Sequence, residues 1–176
     1  MFPISNYLQR LSNSKFLFLF LLVFCSFPLY FFQNARDKIN ELSGKSIDAI
    51  DITFGFNPQH TLYLVDAYGD TARAYYAQSV LTTDVAFPMV SAFFFGIMLT
   101  MLFRGQSLVR TQLLPFISMI FDYAENTCIV SLLYSYPQQS IYLATLCEIF
   151  KMLKWLTLAA VLILMIYGLL MKLLRR

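Results

Sequence analysis

Four apolar runs, at 16–33, 85–103, 113–134 and 141–171, constrain this chain more than any motif in it. About 18 to 20 apolar residues cross the hydrocarbon layer of a bilayer as a helix, and a chain in lipid must satisfy its backbone within helices or a closed barrel. The chain is 59% hydrophobic and 13% charged, against about 25% charged for a soluble domain. The expected fold class is an all-α membrane protein. It is read as a four-transmembrane-helix bundle, a single membrane domain over 1–176, with a long, partly helical extracytoplasmic loop at 34–84 between helices 1 and 2.

The first run follows Arg10 and Lys15 and is interrupted only by Ser26 and Pro28. A cleaved signal peptide has a similar basic start, but the run is long for one and Gln33-Asn34-Ala35 is a poor cleavage site. An uncleaved first span is expected. In the loop, 34–42 reads as a short polar helix ended by Gly44, and 50–56 alternates loosely like an extended segment. Asn57-Pro58 reads as a helix cap with proline in the first turn. That helix should stop at Gly69, and another restarts at Asp70 or Thr71 and carries Arg73. With about 50 residues and no cysteine, the loop makes a poor independent core and is expected to pack on the outer ends of the helices.

Charge placement orients the bundle. The N-terminal arm, the link at 104–112 and the tail hold Arg10, Lys15, Arg104, Arg110, Lys172, Arg175 and Arg176 with no acidic residue among them. The 34–84 loop carries seven acidic residues against four basic ones: Arg36, Lys38, Lys45 and Arg73. The positive-inside rule then puts both termini in the cytoplasm, and four spans likewise require them on one side. The expected location is a bacterial inner membrane or its equivalent.

Charge inside the spans is the candidate site. Asp122, Glu125 and Asn126 share a face of the third run with Ser118, and Glu148, Lys151 and Lys154 share one on the fourth, since i, i+3 and i+4 neighbours stack. If the two helices run antiparallel about the turn 136–140, Asp122 falls level with Lys154 and Glu125 with Lys151. A charge near mid-bilayer costs at least about 2.5 to 3.5 kcal/mol, so such residues face a bundle interior and pair. One reading is a neutralised network that sets helix register. The other is a polar cavity opening outward, with Asp84 at its lip; the stretch from Gly69 through Arg73 to Tyr76 either helps to close it or, the favoured reading, is a capped surface helix.

Cys25, Cys128 and Cys147 lie in apolar runs without a C-x-x-C spacing, and His60 is the single histidine. A disulfide framework, a thiol redox centre and a metal or haem site are not expected, and no cofactor is implied. His60 is expected to be exposed. Catalytic triads and phosphate-binding loops are missing, and nothing supports nucleic-acid binding.

The runs Tyr68-Gly69-Asp70-Thr71-Ala72-Arg73-Ala74-Tyr75-Tyr76, Asp84-Val85-Ala86-Phe87-Pro88, Leu114-Pro115 with Phe121-Asp122-Tyr123-Ala124-Glu125-Asn126, and Lys154-Trp155 resemble a family of small four-helix membrane proteins. The resemblance spans most of 50–156 and implies a four-span bundle with a long first outer loop. It supplies no reaction. The first functional reading is a binding protein for a membrane lipid or small amphiphilic ligand, or for a protein partner, through Asp84, Asp122, Glu125, Asn126, Glu148, Lys151, Lys154 and Arg73. The second is an embedded enzyme with Asp122 or Glu125 as acid or base and Lys151 or Lys154 stabilising negative charge. An ion or proton path ranks last unless the protein forms an oligomer, which stays open.

Overall fold

The computed structural model describes residues 3–104 and 107–174. Arg175 and Arg176 of the basic tail lie outside the described residues, as do Gly105 and Gln106 of the link. The described residues form helices and turns without a strand. Four helical stretches are long and apolar enough to cross a membrane: Ser14–Ser43, Gly69–Leu102, Arg110–Ser135 and Ile141–Leu174.

A short helix, α1 (Pro3–Leu11), precedes α2 (Ser14–Ser26), whose start is capped by the Asn13 side chain accepting from the Lys15 and Phe16 amides. Pro28 lacks an amide proton, and the wider π turn Phe27–Phe31 carries the helix past it into α3 (Phe32–Ser43). The polar segment 34–42 thus continues the first helical stretch, as the sequence suggested. It ends where Gly44 adopts a left-handed φ of 66°. Phenylalanines fasten α2 to its neighbour: Phe24 stacks on Phe87 and Phe94, and Phe20 on Phe93.

Residues 50–52 form a 3-10 turn, not the extended segment that alternation suggested. Helix α4 (Pro58–Ala67) starts as expected, with the Asn57 side chain accepting from the His60 amide and Pro58 in the first turn. Gly69, at φ 73°, separates α4 from α5 (Gly69–Leu102). Helix α5 runs unbroken through Asp84, so the expected second span and the short helix before it are one element. No glycine or proline interrupts 70–87, and Ala72, Tyr76, Ala77 and Val80 are buried at helical spacing.

Pro88 sits inside α5 without ending it. A proline there cannot donate to the carbonyl four residues back, which is that of Asp84. The next helix, α6 (Leu114–Ser135), supplies the substitute: Asn126 Nδ2 donates to the Asp84 carbonyl at 3.1 Å, and the Tyr123 hydroxyl donates to the Val85 carbonyl at 2.8 Å. The polar and aromatic motif residues of α6 thus complete the backbone of α5 at its proline.

Helix α7 (Ile141–Leu174) returns antiparallel to α6 after the turn at 136–140. The link before α6 is a 3-10 stretch, Ser107–Leu113, whose Gln112 is buried. Its side chain accepts from Thr100 Oγ1 at 2.5 Å and donates to Ser5 Oγ, joining α1, α5 and the link. Beside Gly168 of α7 lie Leu102 and Phe103 at the end of α5. Helix α1, the link and the C-terminal ends of α5 and α7 therefore share one end of the bundle. The opposite end holds α4 and the segment before it. There Ile39, Ile47, Ile50, Leu64 and Val65 are buried in one core with Ile129, Leu132 and Ala144.

Candidate functional site

The bundle gathers charge where α5, α6 and α7 meet beneath the 50–52 turn. Lys154 of α7 stands between two carboxylates of α6. Its Nζ lies 2.5 Å from Glu125 Oε2 and 3.7 Å from Asp122 Oδ1. Glu125 is fully buried, whereas the Asp122 and Lys154 side chains keep 18% and 12% exposure. The Glu125–Lys154 contact is an ion pair, and Glu125 Oε1 has no hydrogen-bond donor from the protein. Asp84 of α5 interacts electrostatically with Asp122, Glu125 and Lys154.

Asp51 adds a fourth carboxylate. It lies within electrostatic reach of Asp84, Asp122, Glu125 and Lys154, and it accepts from the Tyr76 hydroxyl at 2.8 Å. That hydroxyl also accepts from the Ile50 amide at 3.0 Å, which fixes the turn carrying Asp51. Two carboxyl groups, Asp122 and Glu125, thus contact one ammonium, and Asp84 and Asp51 lie within electrostatic reach of it in a poorly solvated place. Ser118 donates to the Lys154 carbonyl at 3.4 Å, and Lys154 lies 5.7 Å from the Trp155 ring centroid.

The antiparallel register brings Asp122 to Lys154 as expected, but Glu125 does not pair with Lys151. Matching heights leaves the rotation of each helix open, and Lys151 has nearer partners. It meets Glu148, one turn back on its own helix, at 2.6 Å, and donates to Thr53 Oγ1 at 2.7 Å and to the Ile50 carbonyl at 3.4 Å. Glu148 in turn accepts from the Asn57 amide at 3.1 Å and from Thr61 Oγ1 at 2.6 Å. Both side chains are about 1% exposed. This saturated network ties the 50–61 segment to α7 and is separate from the acidic cluster.

Arg73 also stands elsewhere. It donates to the Val65 and Asp66 carbonyls at the end of α4, pairs with Asp70, and covers the Tyr136 ring at 3.6 Å. Cations commonly satisfy the last carbonyls of a helix. It pins α4 and does not close the acidic cluster. Two open clefts, of about 420 and 200 Å³, flank Tyr136 and include none of Asp122, Glu125 and Lys154. The Tyr136 hydroxyl donates to Asp66 Oδ1 at 2.7 Å, and this bond raises the phenol above its ordinary value. Burial, reinforced by Asp51 and Asp48, raises Tyr68, whose hydroxyl donates to the Asp48 carbonyl at 2.7 Å.

His60 is exposed beside Tyr63, and the three cysteines are free. Among the described residues no group of three or more His, Cys, Asp or Glu side chains is placed to hold a metal ion. What the cluster offers is a buried carboxyl oxygen without a donor from the protein among further acidic side chains, partly open at Asp122 and Lys154. Fold and site together define a helical bundle with four bilayer-length apolar helices and a buried acidic cluster. Comparison with protein-family models, with curated proteins and with solved structures returns no match.

Proposed function

We propose that the protein is an integral membrane protein that binds a lipid or similar amphiphile through the cluster of Asp51, Asp84, Asp122, Glu125 and Lys154. The favoured headgroup is cationic and donates hydrogen bonds, as an alkylammonium does. The carrying observation is Glu125, fully buried with one carboxylate oxygen lacking a donor, beside three further carboxylates and one lysine. A buried polar group without a partner costs about 1–3 kcal/mol, so a donor that reaches it gains that amount when it binds.

Depth supports the reading. Lys172 marks the basic end of α7, and Lys154 lies roughly 27 Å along the helix from it at the α-helical rise. A hydrocarbon layer of about 30 Å then puts the cluster just inside the leaflet opposite the termini, within reach of a headgroup. Basic residues at the terminal end, against acidic ones at the other, favour cytoplasmic termini. An embedded acid–base enzyme using the same carboxyl groups is the second reading.

A ligand that binds the folded state raises its melting temperature by mass action. Phosphatidylethanolamine added to the detergent-purified protein should therefore raise the melting temperature more than phosphatidylglycerol does. The Asp122→Asn/Glu125→Gln double variant should lose the difference. An equal response of parent and variant to both lipids would remove the proposal.

A further inference from the structure

The segment between the 3-10 turn and α4 combines a firm anchor with an apolar tip. Its two flanks are held to α7 through the backbone, by Lys151 on the Ile50 carbonyl and by Glu148 on the Asn57 amide. Between them Phe54 is 96% exposed, and Ile52 and Phe56 are about half exposed. A loop in water gains nothing by presenting three large apolar side chains in five residues, and exposed apolar patches mark contact surfaces. The anchor gives the level. Lys151 lies one helical turn beyond Lys154, roughly 31 Å from Lys172 at the α-helical rise. That is the edge of an approximately 30 Å hydrocarbon layer, where aromatic side chains concentrate.

We propose that Ile52–Phe56 is an interfacial loop that inserts Ile52, Phe54 and Phe56 at the headgroup–acyl boundary of the leaflet opposite the termini. This rests on the membrane reading above and deepens it. The loop faces two ways. Asp51, next to Ile52 in the chain, belongs to the acidic cluster, whereas the apolar side chains point away from the protein. A lipid lying against Phe54 has its headgroup at the mouth of the cluster, so the loop selects ligands from the bilayer and not from water. The exposed apolar side chains of α7 continue this surface: Trp155 and Leu156 lie one to two turns from the anchoring residues.

The test uses the full chain in phosphatidylcholine vesicles. Trp155 is the single tryptophan, so a Trp155→Phe background allows a reporter at one position at a time. The exposed Phe54 takes Phe54→Trp without disturbing a core. Leu162→Trp, on an exposed position in the middle of α7, reports on the span. The expected result is blue-shifted Phe54→Trp emission, quenched by bromine near the top of the acyl chains and shielded from aqueous iodide. Leu162→Trp should be quenched by bromine deeper in the chains. If Leu162→Trp is bromine-quenched while Phe54→Trp is reached only by iodide, the loop lies in water and the proposal is overturned with the membrane reading intact. Shielding of Phe54→Trp from both quenchers means a protein cover and also overturns it. Failure of bromine at both positions overturns the membrane reading itself.

Discussion

Replacing Asn126 by alanine should destabilise the bundle through the backbone of a different helix. Asn126 Nδ2 donates to the Asp84 carbonyl, which Pro88 leaves without an intrahelical partner. Truncation strands that carbonyl, at about 1–3 kcal/mol for a buried group left unpaired; interhelical bonds in membranes average nearer 0.6 kcal/mol. A coupling of about 1 kcal/mol is the reasonable expectation. Asn126→Ala also leaves a small void, so the single variant does not isolate the bond. Pairing it with Pro88→Ala does, because an alanine at that position restores an amide that can donate to the Asp84 carbonyl. The double-mutant cycle of Asn126→Ala and Pro88→Ala, read by denaturant unfolding in micelles, removes the void from the difference. Asn126→Ala should cost about 1 kcal/mol more with Pro88 in place than in the Pro88→Ala background. Equal costs in both backgrounds would refute the argument that Asn126 completes the helix at its proline.

Lys154→Leu should leave Glu125 buried without its cation, and loss of one partner of a buried pair costs about 3–5 kcal/mol; a large drop in melting temperature is expected, with recovery in Glu125→Leu/Lys154→Leu. No recovery would mean that the lysine acts through other groups. Lys151→Met should free the 50–57 segment, read as faster proteolytic cleavage between Gly44 and Asn57. Unchanged cleavage would show that the Glu148–Lys151 network is not the anchor. Burial raises Tyr68 above the tyrosine value of about 10, so its contribution is complete below that pH and is lost as pH rises toward the folded-state value. Melting curves should fall above about pH 10, less steeply for Tyr68→Phe, and identical slopes would remove Tyr68 from the account.

The helices were legible because apolar length and local caps are properties of neighbours in the chain. Asn57-Pro58 and Gly44 act where their own chemistry puts them. The Asp122–Lys154 contact was legible as well, because a tight turn fixes heights along two antiparallel helices. Rotation was not, and so Glu125 fell to Lys154 and Lys151 to Glu148. Asp51 was invisible for a different reason: it reaches the cluster from a non-helical turn held by Tyr76, and no spacing rule links residue 51 to 76 or 154. Gln112 sat in a link that read only as basic, although its burial joins α1 to α5. Asn126 read as a site residue because it is polar and lies among acids, and Tyr123 read only as part of a motif. Their hydrogen bonds to α5 carbonyls needed the pairing of α6 with the proline of another helix.

The most direct measurement is native mass spectrometry of the protein released from membranes containing phosphatidylethanolamine and phosphatidylglycerol, beside the Asp122→Asn/Glu125→Gln variant. The account predicts a retained phosphatidylethanolamine adduct on the parent that the variant loses while remaining folded. An adduct of the same identity and occupancy on both proteins would contradict it and leave the acidic cluster a structural ion-pair network.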